Sequence, residues 1–147
     1  MSERTVFQSM AQRHVISVLP NATVYAAACV MTRTNSSSVL VIDASKALLG
    51  IVTERDMITR VLAKGMNPNE ATVSEVMTRS PHCITPDTKV PDAVLMMIER
   101  GFRHLPVLTT DTHKILGVFS VRDALPREVN TAVNLAEFNE QVNDALG

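Results

Sequence analysis

The chain has very little aromatic character: its 147 residues contain no tryptophan, one tyrosine and four phenylalanines. Proteins that grip single-stranded nucleic acid usually stack bases on aromatic platforms, and that material is missing. Charge of one sign is also missing. Fourteen Lys and Arg stand against fifteen Asp and Glu, a net charge of −1, so nothing pulls the chain generally toward nucleic acid or an anionic membrane. No apolar run approaches the ~20 residues that a membrane helix needs. The first residues, MSERTVFQSMAQRHV, carry an early acid and no apolar signal core, so no export signal is read there. The two cysteines, Cys29 and Cys83, make neither a disulfide framework nor a zinc pattern. Both sit in apolar surroundings, as reduced core thiols do, and a reducing cytoplasm is expected. What the chain does have is core material, with 46% hydrophobic residues, enough for one domain or two small repeats.

The main positive signal is an internal repeat. At an offset of 66, Pro20 falls on Pro86, Val24 on Val90, Ala27 on Ala93, Met31 on Met97 and Val41 on Val107. One extra residue in the loop 109–114 moves the offset to 67. Gly50 then falls on Gly117, Thr53 on Ser120, Arg55 on Arg122 and Asp56 on Asp123, with Val52 answered by Phe119.

Each repeat reads as β-α-β-β-α. A short extended piece (15–19; 83–85) is stopped by Pro20 or Pro86, since proline fixes φ and biases its predecessor toward extended geometry. Helical spacing follows at Val24, Ala27, Ala28 and Met31, and at Val90, Ala93, Val94, Met97 and Ile98. Two β runs come next, 38–42 with 48–53 and 105–108 with 115–120. The central runs are almost continuously apolar, as strands buried on both faces are. A second helix starts near Asp56 or Asp123. The expected division is an N-terminal segment 1–14, a first repeat 15–63, a linker 64–79 with a short helix at 73–77, a second repeat 80–127 and a C-terminal helix 128–147. Pro126 interrupts the second helix of repeat two. The tail 127–146 reads as a separate amphipathic helix with Val129, Val133, Phe138 and Val142 among its apolar positions.

Two heptapeptides carry the chemistry: GIVTERD (50–56) and GVFSVRD (117–123). Each places a hydroxyl and, three residues on, a carboxylate where a strand end opens into a helix. Unpaired backbone N–H groups and the helix dipole favour anions there, and a carboxylate can accept from both hydroxyls of a ribose, each charge-assisted bond being worth about 1.5–3 kcal/mol. The plainer reading is that Thr53-x-x-Asp56 and Ser120-x-x-Asp123 are capping boxes. Two copies in matching contexts favour the ribose reading, and the two roles are compatible.

With these residues, 15–125 resembles a tandem pair of CBS (cystathionine-β-synthase) domains, a Bateman module. SSVLVID, GIVTERD, VSEVMT, GFRHLPVL and GVFSVRD carry the resemblance. It implies an α+β fold in which two β-α-β-β-α repeats pack about a pseudo-twofold axis and form two clefts for adenosine ligands: AMP, ADP or ATP, or else NAD or S-adenosylmethionine. It implies one cleft from Thr53 and Asp56 with Cys83 and Ile84, and another from Ser120 and Asp123 with Ser17 and Val18. Ile51 and Val118 line the base or sugar. Arg103 and His104, with Ser37 and Ser38 at the corresponding place in the first repeat, face the phosphates. The plainer roles for Arg103 and His104 are a surface ion-pair partner and a half-buried, satisfied histidine. The implied function is a non-catalytic sensor, forming a homodimer and reporting ligand state to an effector protein.

Two rivals stand beside it. His14, His82, His104 and His113 lack metal-ligand spacing, and no G-x-S-x-G, P-loop or Cys-His arrangement with a third member is present. His82 and Cys83 are adjacent, and strand neighbours point to opposite faces; no enzyme is expected. The second rival is a dimerisation or interaction scaffold that binds no ligand, with eight methionines as adaptable surface or, more commonly, as core filler.

Overall fold

A computed structural model describes residues 3–11 and 14–146. It divides into two compact units, one formed by 15–82 and the other by 1–14 together with 83–147.

In the unit 15–82, the short strand β1 (Ser17–Val18) leads through Pro20 to helix α2 (Val24–Thr34). Thr23 caps α2 by accepting from the Ala26 N–H at 3.1 Å, which satisfies one of the orphan donors of the first turn. Asn35 ends it in the left-handed conformation at φ 51°, one of the few non-glycine residues at ease there. Strands β2 (Ser38–Ile42) and β3 (Leu48–Thr53) form an antiparallel hairpin, and β1 pairs parallel to β2. Every residue of β2 is buried, as its apolar run implies. Helix α3 (Glu54–Asp56) runs straight into a π-helical stretch, Met57–Leu62. Val39, Val41 and Val52 pack with Ala27 and Met31 on one face of the sheet.

Residues 64–79, expected as a linker, are part of this unit. Helix α4 (Val73–Val76) buries Val73, Val76 and Met77, and β4 (Thr78–Arg79) adds a strand beside β3, opposite Gly50 and Ile51. The polar run that suggested a linker is confined to surface turns. The apolar residues that follow it, Ala71, Val73, Val76 and Met77, enter the core.

The second unit repeats the plan with α5 (Val90–Arg100), β5 (His104–Leu108) and β6 (Ile115–Ser120). Its first strand is reduced to one parallel bridge, Ile84 to Val107. Leu105, Val107 and Phe119 pack with Val90, Ala93, Val94 and Met97. The N-terminal segment belongs to this core. Helix α1 (Val6–Ser9) buries Val6 and Met10 there. The Val6 and Phe7 N–H groups donate to the carbonyls of Thr88 and Pro86 at 2.7 and 3.0 Å. In the other unit, Val73 and Ser74 donate to Ala22 and Pro20 at 2.9 and 3.2 Å. Thus TVFQSM (5–10) and TVSEVM (72–77) are a further pair of repeat elements, each opened by a capping box, and each precedes one repeat while folding with the other.

After β6 a 3₁₀ turn, Val121–Asp123, ends at Ala124 in an extended conformation. Pro126 then begins the long helix α6 (Pro126–Leu146). The proline that interrupts repeat two is therefore the first residue of a new helix, where its missing N–H costs nothing. Helix α6 lies along α5. Ala132 is fully buried and Val129 packs on the core, while Val133, Phe138 and Val142 remain exposed.

Candidate functional site

Both heptapeptides form capping boxes at the strand-to-helix junction. In the first, Asp56 Oδ2 accepts from the Thr53 N–H at 2.9 Å and from the Thr53 hydroxyl at 3.1 Å, while the Asp56 N–H donates to Thr53 Oγ1 at 3.2 Å. Asp56 is 8% exposed. Its other oxygen, Oδ1, faces Arg60 Nε at 3.6 Å. Arg60 is one helical turn on and also donates to the carbonyls of Val76 and Met77 at 3.1 and 3.0 Å.

In the second, Asp123 Oδ2 accepts from the Ser120 N–H at 3.0 Å, and Oδ1 accepts from the Ala11 N–H at 3.4 Å. Ser120 Oγ accepts from the Arg122 N–H at 3.3 Å. Asp123 is half-buried. The plainer role set beside ribose binding in the sequence is thus present in both copies, and each carboxylate starts a helix.

Strand register decides which candidates share a face. Ser17 lies opposite Leu40, Leu40 opposite Ile51 and Ser38 opposite Thr53. By the two-residue period, Ser17, Ser38, Leu40, Ile51 and Thr53 occupy one face of the sheet, away from the face that packs on α2. In the second unit, His104 lies opposite Ser120 and Pro106 opposite Val118, again on the face away from α5.

The same period turns Val18 and Ile84 the other way. Val18 packs against its unit's core, and Ile84, 5% exposed, lies within its own. Of the two first-strand pairs singled out from the sequence, Ser17 and Cys83 are therefore the members whose side chains alternate away from the cores. Val18 and Ile84 have backbone to offer, and the Ile84 N–H and C=O are already bonded to Pro106 and Leu108. Burial pushes the Cys83 thiol up, so it stays protonated and unreactive near neutral pH.

The remaining candidates flank the capping boxes through matched backbone bonds. The Glu54 N–H donates to the Ser37 carbonyl at 3.1 Å, and the Val121 N–H to the Arg103 carbonyl at 3.3 Å. Ser38 is buried, Ser37 and His104 are half-buried and Arg103 is exposed. Each unit therefore gathers its hydroxyl, its carboxylate and its pair at the start of the central strand at one end of the sheet. Arg60 and Ala11 were missed. Arg60 had a signal, since it stands four residues after Asp56 on a helix. Ala11 had a fainter one, since at offset 67 it falls on Thr78, the residue after VSEVM.

Among the described residues, no group of three or more His, Cys, Asp or Glu could hold a metal ion, and no helix is long and apolar enough to cross a membrane. The CBS-domain family model matches residues 7–63 and 73–128. The chain belongs to the CBS-domain family. The fission-yeast (Schizosaccharomyces pombe) meiotically up-regulated gene 70 protein is 35% identical over 124 residues, covering 79% of this chain; the chain spans 17% of that relative's length. A solved protein with CBS domains from Burkholderia ambifaria, named as a candidate signal-transduction protein, is 32% identical at a TM-score of 0.75, covering 82% of this chain and 90% of its own. A hexameric CBS-CP12 protein from bloom-forming cyanobacteria is 26% identical at a TM-score of 0.75, covering 85% of this chain and 71% of its own.

Proposed function

We propose that this CBS-domain protein is a non-catalytic regulatory module that binds an adenine nucleotide, AMP, ADP or ATP, and passes the ligand state to an effector protein in the cytoplasm. The observation that carries the reading is the duplicated capping box. In each unit, a hydroxyl and a carboxylate stand at a strand end on the sheet face turned away from the helices, beside a strand start that supplies Ser37 and Ser38 or Arg103 and His104. A carboxylate there suits a ribose diol, and Arg103 and His104 suit phosphate.

In this reading the nucleotide lies between repeats, where two sites are on offer, Thr53 and Asp56 with Cys83 and Ile84, and Ser120 and Asp123 with Ser17 and Val18. Ile51 and Val118 border the base. NAD and S-adenosylmethionine share the adenosine moiety and belong in the same test. The hexameric cyanobacterial relative supports association of copies, and a homodimer is the simplest such assembly. Ligand changes the assembly to the extent that it binds two states unequally.

A thermal-shift panel of AMP, ADP, ATP, NAD and S-adenosylmethionine tests this, with each protein compared with its own ligand-free melting temperature. Ligand at 100 times its dissociation constant stabilises by about 2.7 kcal/mol. The expected result is a shift with at least one nucleotide that Asp56→Ala combined with Asp123→Ala abolishes. A well-folded protein, purified free of nucleotide, that shifts with none of the five is instead an interaction scaffold. The exposed Phe138 and Leu146 on α6 would then be the surface to pursue.

A further inference from the structure

The two carboxylates differ in what they have left to offer. A ribose diol brings two O–H donors and needs open lone pairs on a carboxylate. Asp56 Oδ2 already takes two donors from Thr53, its Oδ1 faces the Arg60 guanidinium, and the residue is buried. The Thr53 hydroxyl proton is committed to the same carboxylate. Among the described residues, Asp123 carries one donor on each oxygen, one of them at 3.4 Å. Among the described residues the Ser120 hydroxyl accepts from Arg122 without donating to Asp123, so its proton can go to a ligand.

The cause of the difference lies in the sequence after each aspartate. Behind Asp56 the helix continues through Met57–Leu62, and residue i+4, Arg60, folds back over the carboxylate. Behind Asp123 comes Leu125 before Pro126. The 3₁₀ turn ends at Ala124 with ψ 145°, and a new helix begins at Pro126. The residue four beyond Asp123 is Arg127. It leaves on the new helix, is exposed, and makes no ion pair with Asp123 among the described residues. The residue equivalent to Arg60 is thereby carried away from the second aspartate on the new helix.

We propose that the two sites are unequal: the nucleotide is taken by Asp123 and Ser120, while Asp56, held by Thr53 and Arg60, serves as a closed structural cap. The assignment rests on the nucleotide-binding reading above. The test is calorimetric titration of the full chain with ADP, alongside amide NMR mapping of the same titration. Expected are one nucleotide per chain and shifts at the amides of Ser120–Asp123 with those of Thr53–Asp56 at rest. Asp123→Asn should weaken binding about tenfold or more, as loss of a charge-assisted bond implies. Two nucleotides per chain, shifts at Thr53–Asp56, or full affinity in Asp123→Asn overturn the assignment while leaving nucleotide binding in place. The wild-type amide map decides the matter even if the variant folds poorly. Absence of binding by ADP and the rest of the panel removes the underlying reading and the assignment with it.

Discussion

Gly50 opens the first heptapeptide for a reason of space. A Cβ there would stand 2.6 Å from Met77 Sδ and 2.7 Å from the Thr78 carbonyl oxygen, because β4 runs against this point of β3. A methionine tip can yield, but a backbone carbonyl cannot without shifting β4. Gly50→Ala is therefore expected to cost roughly 1–3 kcal/mol, the usual range for overpacking, read as a lower midpoint in urea unfolding. An unchanged midpoint would show that β4 is loosely held. Arg4 and Glu128 are a second residue-level case. Arg4 grips the Glu128 carboxylate with two bonds, at 2.7 and 3.1 Å, and donates to the Asp123 carbonyl at 3.1 Å. The Arg4 hydrogen bond holds the Glu128 carboxyl below its ordinary 4.5, with help from the Leu125 N–H and against the cost of burial. A carboxyl whose folded value is depressed contributes stability that is present above its unfolded value. That contribution is lost as pH falls through the folded one. Glu128→Gln should thus lower stability near neutral pH by about 2 kcal/mol. It should also flatten the acid limb of a melting-temperature profile below the ordinary carboxyl range. Parallel profiles for wild type and variant would contradict this.

Helices α1 and α4 are short and would not stand alone in water; packing sustains them. Val6 and Val73 occupy equivalent places and are both fully buried. Val6→Ala and Val73→Ala should each cost roughly 1–3 kcal/mol, two lost methyl groups plus a cavity. Amide hydrogen exchange should show where: Val6→Ala loosens α5 and β5, and Val73→Ala loosens α2 and β2. The opposite assignment would break the pairing of segments described above. How much of this was legible follows from periodicity. Strands 38–42, 48–53 and 115–120 were read at their observed bounds because their neighbours are loops of clear turn chemistry. Helices α2 and α5 were visible from their apolar spacing. Helix α1 was passed over: four residues carry too few apolar positions to show a period, and its apolar partners, such as Val90 and Val107, lie some 80 residues or more away in sequence. Residues 64–79 misled for the same reason, since local polarity marks the turns and is silent about where Val73 and Val76 go. In the candidate site, residue types and repeat register were legible, and the outward faces of Ser17 and Thr53 follow from alternation. The occupancy of each carboxylate oxygen was not, because it depends on Arg60 and Ala11 approaching from outside the motif.

At the scale of the whole molecule, one unit is a continuous stretch of chain and the other is assembled from two pieces 68 residues apart. The piece 83–147 lacks part of its own core. Val6 and Met10 sit among Val90, Val94, Leu105 and Phe119. The Val90 N–H bonds to the Arg4 carbonyl at 3.0 Å, and Arg4 neutralises the buried Glu128. Cutting the chain between 82 and 83 would leave that carboxylate without its cation and two apolar positions open to water. A fragment 83–147 is therefore expected to be partly unfolded or to melt well below the same unit in the intact chain. A synthetic peptide of residues 3–11 should restore it in trans, raising its melting temperature in a concentration-dependent way by mass action, about 2.7 kcal/mol at 100 times its dissociation constant. The same peptide with Val6→Asp should fail, since its carboxylate would be buried without a partner. If the fragment is as stable as the intact unit, or if both peptides act alike, then the N-terminal segment rests on this core without completing it. The repeat order along the chain would then suffice to define the two units.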